Sequence, residues 1–258
     1  MARSPLLFAA ALASMLTVST PAQAAADDRC YEMRVYHAAE GKLDDLHARF
    51  RDHTVKYFEK HRMTNIGYWT PIENPKSQIV YVLAYPSREA RENSWKAFAA
   101  DPGWVKAKAD SEKNGKLVEK ADITFLSAVD FSPEIKPSKA GEPRTFELRT
   151  YTTTEGNLDN LLKRFRDHTV SLFAKHGMTN FAYWVPMKDQ PDAANKLVYI
   201  LAHKSKEAAE ASFKAFRADP DWVKARKASE DAAGGSLTVA KDGVVSVFMT
   251  ATDYSPTR

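Results

Sequence analysis

The sequence predicts an α+β protein, two ferredoxin-like βαββαβ repeats that close on each other as an intrachain pseudo-dimeric α+β barrel. Three observations carry this. Seven residues, Arg49-Phe50-Arg51-Asp52-His53-Thr54-Val55, return unchanged as Arg164-Phe165-Arg166-Asp167-His168-Thr169-Val170. The 115-residue register from His53 to His168 also carries Lys60-His61 onto Lys175-His176, Met63-Thr64-Asn65 onto Met178-Thr179-Asn180 and Tyr68-Trp69 onto Tyr183-Trp184. Such a period exceeds the roughly 20 to 50 residues of solenoid and propeller repeats, so each copy is a domain-sized unit. Finally, each copy has helices for only one sheet face, and the two bare faces can cover each other.

Taken in order, each copy opens on a strand. Residues 31–36 and 146–151 alternate with period two, one face carrying Tyr31, Met33 and Val35 and the other Glu32, Arg34 and Tyr36, answered by Glu147, Arg149 and Tyr151. If helices cover the apolar face, these charges meet between the two sheets, where cross-sheet Glu–Arg pairing would neutralise them. Gly41 and Gly156 then introduce a helix running to about His61 and His176. Its stripe of Leu43, Leu46, Phe50, Thr54, Tyr57 and His61 recurs at steps of three and four. Gly177 supplies a stop in the second copy.

Two strands follow, residues 65–70 and 78–85, joined by a turn with Pro71, Asn74 and Pro75. The turn is three residues longer in the second copy, where Tyr199 answers Tyr81, and insertions fall in loops. Residues 79–84 and 197–202 are apolar on both faces, as in a strand covered on both sides. A second helical region begins near Ser87 and Ser205 and breaks at Asp101-Pro102 and Asp219-Pro220. There Asp can cap, and Pro can open, a new helix set at an angle. Final strands, 123–129 and 244–251, lead into Asp130-Phe131-Ser132-Pro133 and Asp253-Tyr254-Ser255-Pro256. The repeats span 27–132 and 145–256, and residues 133–144, with Pro133, Pro137, Gly141 and Pro143, form the linker.

Residues 1–24 read as a secretory signal peptide, with Arg3, an apolar run from Leu6 to Val18 too short to span a bilayer, and Ala22-Gln23-Ala24 before cleavage. The expected location is periplasmic or secreted, with no stable membrane insertion afterwards. The net charge of +4 comes from basic residues interspersed with acidic ones, which argues against a nucleic-acid partner. A single cysteine, Cys30, excludes an internal disulfide and reads as inert.

At residues 49–55, Phe58-Glu59-Lys60-His61, Tyr68-Trp69 and Asp101-Pro102-Gly103-Trp104, and at their counterparts in the second copy, the sequence resembles the NIPSNAP family. The resemblance implies the dimeric α+β barrel, here as two family domains fused in tandem. The wider superfamily includes cofactor-independent monooxygenases, haem enzymes and small-molecule isomerases, so the fold alone does not select a reaction.

His53 and His168 are the candidate proton acceptors, because imidazole titrates near neutrality and both lie at the edge of a buried stripe, within reach of a helix–sheet cavity. A core histidine bonded to backbone is the structural alternative. His61 and His176 fit helix C-termini. They lie about 12 Å along the helix from His53 and His168, too far to share a metal, and no HExxH, CxxC or acidic loop compensates. No metal and no cofactor are expected; haem, needing one axial ligand, is the one left open. Arg34 and Arg149 could hold a carboxylate or enolate, with Tyr36 and Tyr151 donating to it. Tyr68, Trp69, Tyr183 and Trp184 offer flat walls for a planar ligand.

The expected function is therefore an exported NIPSNAP-like protein that binds a small apolar or aromatic molecule in a helix–sheet pocket, with monooxygenase-like or isomerase-like activity. A non-catalytic scaffold with a packed interior, binding another protein, is the alternative, and a homo-oligomer is compatible with both. Tyr57 against Leu172 and Trp95 against Phe213 predict unequal pockets.

Overall fold

The computed structural model describes residues 27–258, so the expected signal peptide lies outside the described residues. The first repeat runs β1 (Cys30–Ala38), α1 (Leu43–Arg49), a π-helical turn (Phe50–Thr54), α2 (Val55–Lys60), β2 (Thr64–Pro71), β3 (Gln78–Tyr85), α3 (Arg88–Ala100), α4 (Pro102–Ser111) and β4 (Val118–Ala128). The second runs β5 (Thr145–Thr152), α5 (Leu158–Arg164), a π-helical turn (Phe165–Thr169), α6 (Val170–Lys175), β6 (Thr179–Pro186), β7 (Lys196–His203), α7 (Lys206–Ala218), α8 (Pro220–Ala232) and β8 (Val244–Ala251).

The strands close a barrel in the order β1-β3-β2-β8-β5-β7-β6-β4. Two short antiparallel seams join the repeats, Trp69 to Pro71 against Met249 to Ala251, and Leu126 to Ala128 against Trp184 to Pro186. With so few backbone pairs at each seam, closure rests on side chains. Tyr31, Met33, Trp69, Val80, Val82 and Leu126 share one core with Phe146, Phe181, Trp184, Val198, Ile200 and Met249. Trp69 lies 5.6 Å from Phe146 and 6.1 Å from Phe181, and Tyr31 lies 5.7 Å from Trp184. At about 25 cal/mol per Å² of apolar surface, each such indole contributes kilocalories that neither repeat could gain alone. Gly67 belongs to this arrangement, because a Cβ there would fall 2.3 Å from the Trp69 ring.

The faces are therefore disposed opposite to the expectation. The apolar face of β1 meets the other sheet, and the helices cover the face bearing Glu32, Arg34 and Tyr36. The second sheet presents hydrocarbon, whereas α3 presents Arg91 and Trp95, so only the helix layer can satisfy buried charge.

Two C-terminal arms cross between repeats. Tyr254 stacks on Phe50 at 5.9 Å, and its hydroxyl lies 2.9 Å from His47 Nδ1. Ser255 Oγ accepts the Tyr68 N–H at 2.9 Å, as Ser132 Oγ accepts that of Tyr183 at 3.1 Å. Arg51 grips Asp253 through Nε and Nη2 at 2.6 and 3.0 Å, and Arg166 grips Asp130 at 2.8 and 2.7 Å. Part of the identical heptapeptide is thus an arm lock.

The heptapeptide also carries the π turn in each copy. Thr54 Oγ1 donates to the Arg49 carbonyl at 3.1 Å, and Thr169 does the same to Arg164 at 3.2 Å, so the carbonyl displaced from regular α-helical bonding keeps a donor. Arg49 and Arg164 are left buried.

The helix breaks form as expected. Asp101 caps α4 by accepting from the Gly103 N–H at 2.8 Å, and Asp219 caps α8 through the Asp221 N–H at 2.9 Å. The other oxygen of each takes a lysine and a histidine, with His61 Nε2 at 2.8 Å and His176 Nε2 at 2.7 Å. These histidines therefore bind the capping carboxylate of α4 or α8 rather than their own helix end. Trp104 and Trp222 pack 4.4 Å from Phe98 and Phe216, locking each helix pair.

Candidate functional site

In the first repeat, β1 delivers Glu32 and Arg34 beneath α3. Glu32 is fully buried; its Oε1 accepts from Arg34 Nη1 at 2.9 Å and Arg91 Nη2 at 2.8 Å. Its Oε2 accepts from Tyr85 Oη and Trp95 Nε1, both at 2.9 Å. Burial pushes this carboxyl up, but the bonds from Arg91 and the charge of Arg34 outweigh it and hold Glu32 below the usual carboxylate range. The predicted cross-sheet pairing is replaced by pairing within β1 and to α3.

The second repeat keeps the strand and changes the partners. Glu147 Oε1 accepts from Arg149 Nη1 and Ser246 Oγ, both at 2.5 Å, while Oε2 lies 3.1 Å from His203 Nε2. Where the first repeat has Tyr85, Arg91 and Trp95, the second has His203, Ala209 and Phe213. Burial again raises the carboxyl, and His203, Arg149 and Ser246 bring Glu147 below its ordinary value.

Each cation lies on an aromatic face. The Arg34 guanidinium is 4.2 Å from the Trp95 ring and 5.3 Å from Tyr36; that of Arg149 is 4.5 Å from Phe213 and 5.7 Å from Tyr151. A second guanidinium enters from the helix: Arg49 pairs with Glu112 at 2.7 Å, but Arg164 reaches Glu230 only at 3.7 Å. Burial pushes Arg164 below the usual arginine range and Tyr199 well above the usual phenol range.

Arg34 Nε, Arg49 Nε and Tyr81 Oη are buried with no hydrogen-bond partner among the described residues, and so are their counterparts Arg149 Nε, Arg164 Nε and Tyr199 Oη. An unmade buried hydrogen bond costs about 1–3 kcal/mol, so six at equivalent positions form a pattern that calls for an acceptor.

The other expected site residues divide. His53 and His168 are exposed on the outer helix surface and do not reach the helix–sheet layer, because the π turn directs Arg49 and Phe50 inward instead. Neighbours on one strand point to opposite faces, so Tyr68 and Trp69 do not wall one pocket. Tyr68 and Tyr183 lie under the helices, each bonded to an asparagine, Asn65 or Asn180. Trp69 and Trp184 lie in the intersheet core. Arg34, Tyr36, Arg149 and Tyr151 do share the charged layer. Sequence reasoning missed Arg91 and His203; His203 ends β7 in register with Thr145, and nothing in the sequence tied it to Glu147.

The surface grooves beside the two exposed histidines differ in size. One of about 290 Å³ lies by Arg49, His53 and Asp110, and one of about 420 Å³ lies by His168, Leu172 and Ala225. Tyr57 covers Gly103 and leans on Trp104 at 6.1 Å, whereas the shorter Leu172 lines the groove beside His168. Cys30 is buried, and burial pushes its thiol up, away from the reactive thiolate. Among the described residues, no helix is long and apolar enough to cross a membrane.

Fold and site together define an α+β barrel of the dimeric type, completed within one chain and carrying a charged helix–sheet layer in each half. The NIPSNAP sequence profile matches residues 31–133 and 146–256, and the chain belongs to the NIPSNAP family. Among solved structures, a candidate monooxygenase from Fusobacterium nucleatum is similar at 11% identity and a TM-score of 0.60, over 87% of this chain and 92% of its own. One from Lactobacillus acidophilus gives 10% identity and 0.53, over 87% and 94%. An anthrone oxidase-like protein gives 12% identity and 0.53, over 88% and 92%. At these identities the likeness is one of fold. No curated protein matches the chain.

Proposed function

We propose that this protein binds a small planar molecule bearing a carboxylate, phenolate or enolate oxygen in the helix–sheet layer of its repeats. Arg34 with Tyr36, Tyr81 and Arg49 grips it in the first repeat, and Arg149 with Tyr151, Tyr199 and Arg164 in the second. The single observation behind this reading is the repeated set of buried, unpartnered donors, which a charged oxygen would satisfy. Monooxygenase-like or isomerase-like turnover is the activity we infer, since an oxygen anion is the electron-rich form from which either reaction starts. We place this binding in the periplasm or outside the cell on the pattern of residues 1–24.

Isothermal titration with aromatic carboxylates and phenols tests the reading. Arg34→Met combined with Arg149→Met should weaken binding about 10- to 100-fold, the value of losing charge-assisted hydrogen bonds. His53→Ala combined with His168→Ala should leave it unchanged. Undiminished binding by the double arginine variant would remove the proposal.

A further inference from the structure

The two repeats neutralise their buried glutamates differently, and the second leaves an atom with chemistry to spare. An ionised carboxylate only accepts hydrogen bonds, so His203 Nε2, 3.1 Å from Glu147 Oε2, carries the ring proton. Nδ1 then holds a lone pair, and it is buried without a partner among the described residues, in a side chain only 1% exposed. The Phe213 and Phe248 rings flank the imidazole at 6.1 and 6.3 Å. A carboxylate orienting one imidazole nitrogen while the other stays free is the arrangement a general base requires. The first repeat has none: Tyr85 occupies the equivalent place, and Arg91 supplies a permanent second cation where the second repeat has Ala209.

We propose that His203 and Glu147 form a proton-accepting dyad for a weakly acidic phenol or enol in the second repeat, while the first repeat binds only the anion. This rests on the binding reading above. The ligand O–H bond breaks, the proton passes to Nδ1, and the electron pair remains on the ligand oxygen, held by Arg149. Glu147 then faces an imidazolium and offsets its burial. The other charged groups facing this layer are Arg149 on β5, Arg164 on α5 and Lys206 on α7, whose ammonium lies 5.7 Å from the Phe248 ring.

The full chain is titrated with 4-nitrophenol in two buffers of different protonation enthalpy, below the pKa of the free phenol. The wild type should release a proton only for the anion bound in the first repeat and retain that of the second-repeat ligand, and the His203 Nδ1 resonance in ¹⁵N spectra should change from unprotonated to protonated at saturation. His203→Gln should release about one proton per second-repeat site to buffer and weaken binding about tenfold. His203→Tyr, which installs the first repeat's side chain, gives the same reading if the glutamine variant does not fold. If Nδ1 stays unprotonated at saturation, or the proton balance survives both substitutions while Arg34→Met plus Arg149→Met loses the probe, the dyad alone is refuted. If the arginine variant binds normally, or the wild type does not bind, the binding reading falls with it.

Discussion

Glu32 is enclosed by two guanidiniums, a phenol and an indole; Glu147 is enclosed by one guanidinium, an imidazole and a hydroxyl. The strand carrying Glu-x-Arg is common to both repeats, and most of the change lies around it. A residue in a closed barrel is fixed by the register of two neighbouring strands, and a one-place slip would turn every side chain over. Two of the changed partners, Arg91 against Ala209 and Trp95 against Phe213, sit on outer helices without that constraint, while the third, Tyr85 against His203, ends a strand. Duplication therefore preserved the charge and let its surroundings diverge, leaving Glu32 between two permanent cations and Glu147 beside one and an imidazole.

The comparison is broken most severely by removing the core that makes the repeats one body. Trp69→Ala, by emptying space between Phe146 and Phe181, should destabilise by about 3–5 kcal/mol. Both repeats should still melt in a single transition in differential calorimetry; separate transitions would mean that they fold independently.

A finer probe is to neutralise each glutamate. Glu32→Gln strands two buried guanidiniums and should cost about 3 kcal/mol, whereas Glu147→Gln strands one and should cost about 1–2 kcal/mol, measured by urea denaturation. Equal costs would contradict the contrast drawn above. Both carboxyls lie below their ordinary value of 4.5 in the folded chain, so their contribution is complete above that pH and is lost as pH falls through the folded values. The wild-type urea midpoint should fall on acidification below pH 4.5, and less so in each variant.

The smallest effect belongs to the arm locks. Arg51→Ala or Arg166→Ala removes a solvent-exposed bidentate pair and should cost under about 1 kcal/mol, reduced further by salt. A larger loss, insensitive to salt, would show that the crossed arms do more than tether.

Much of this molecule was legible in its sequence. The Asp-Pro helix starts and the doubly apolar β3 and β7 follow from local chemistry, since capping and alternation act over a few residues. The faces of β1 and β5 were not legible, because alternation shows that two faces differ but not what each meets. Arg34 and Arg149 were for that reason expected between the sheets, and they lie beneath the helices instead. His53 and His168 were drawn inward by an ideal helical period that ignored the π turn, a local change of phase that sends neighbouring side chains elsewhere. His203 could not be singled out at all, since its partner lies across β5 in space.

The sequence by itself determined that there are two copies, which strands and helices each contains, and that closure between them was needed to hide apolar area. Only the tertiary structure decided that hydrocarbon would meet hydrocarbon between the sheets and charge would meet charge beneath the helices. The reason is that burying a carboxylate is tolerable only where donors can converge on it, and those donors come from elements far along the chain whose positions are set by packing.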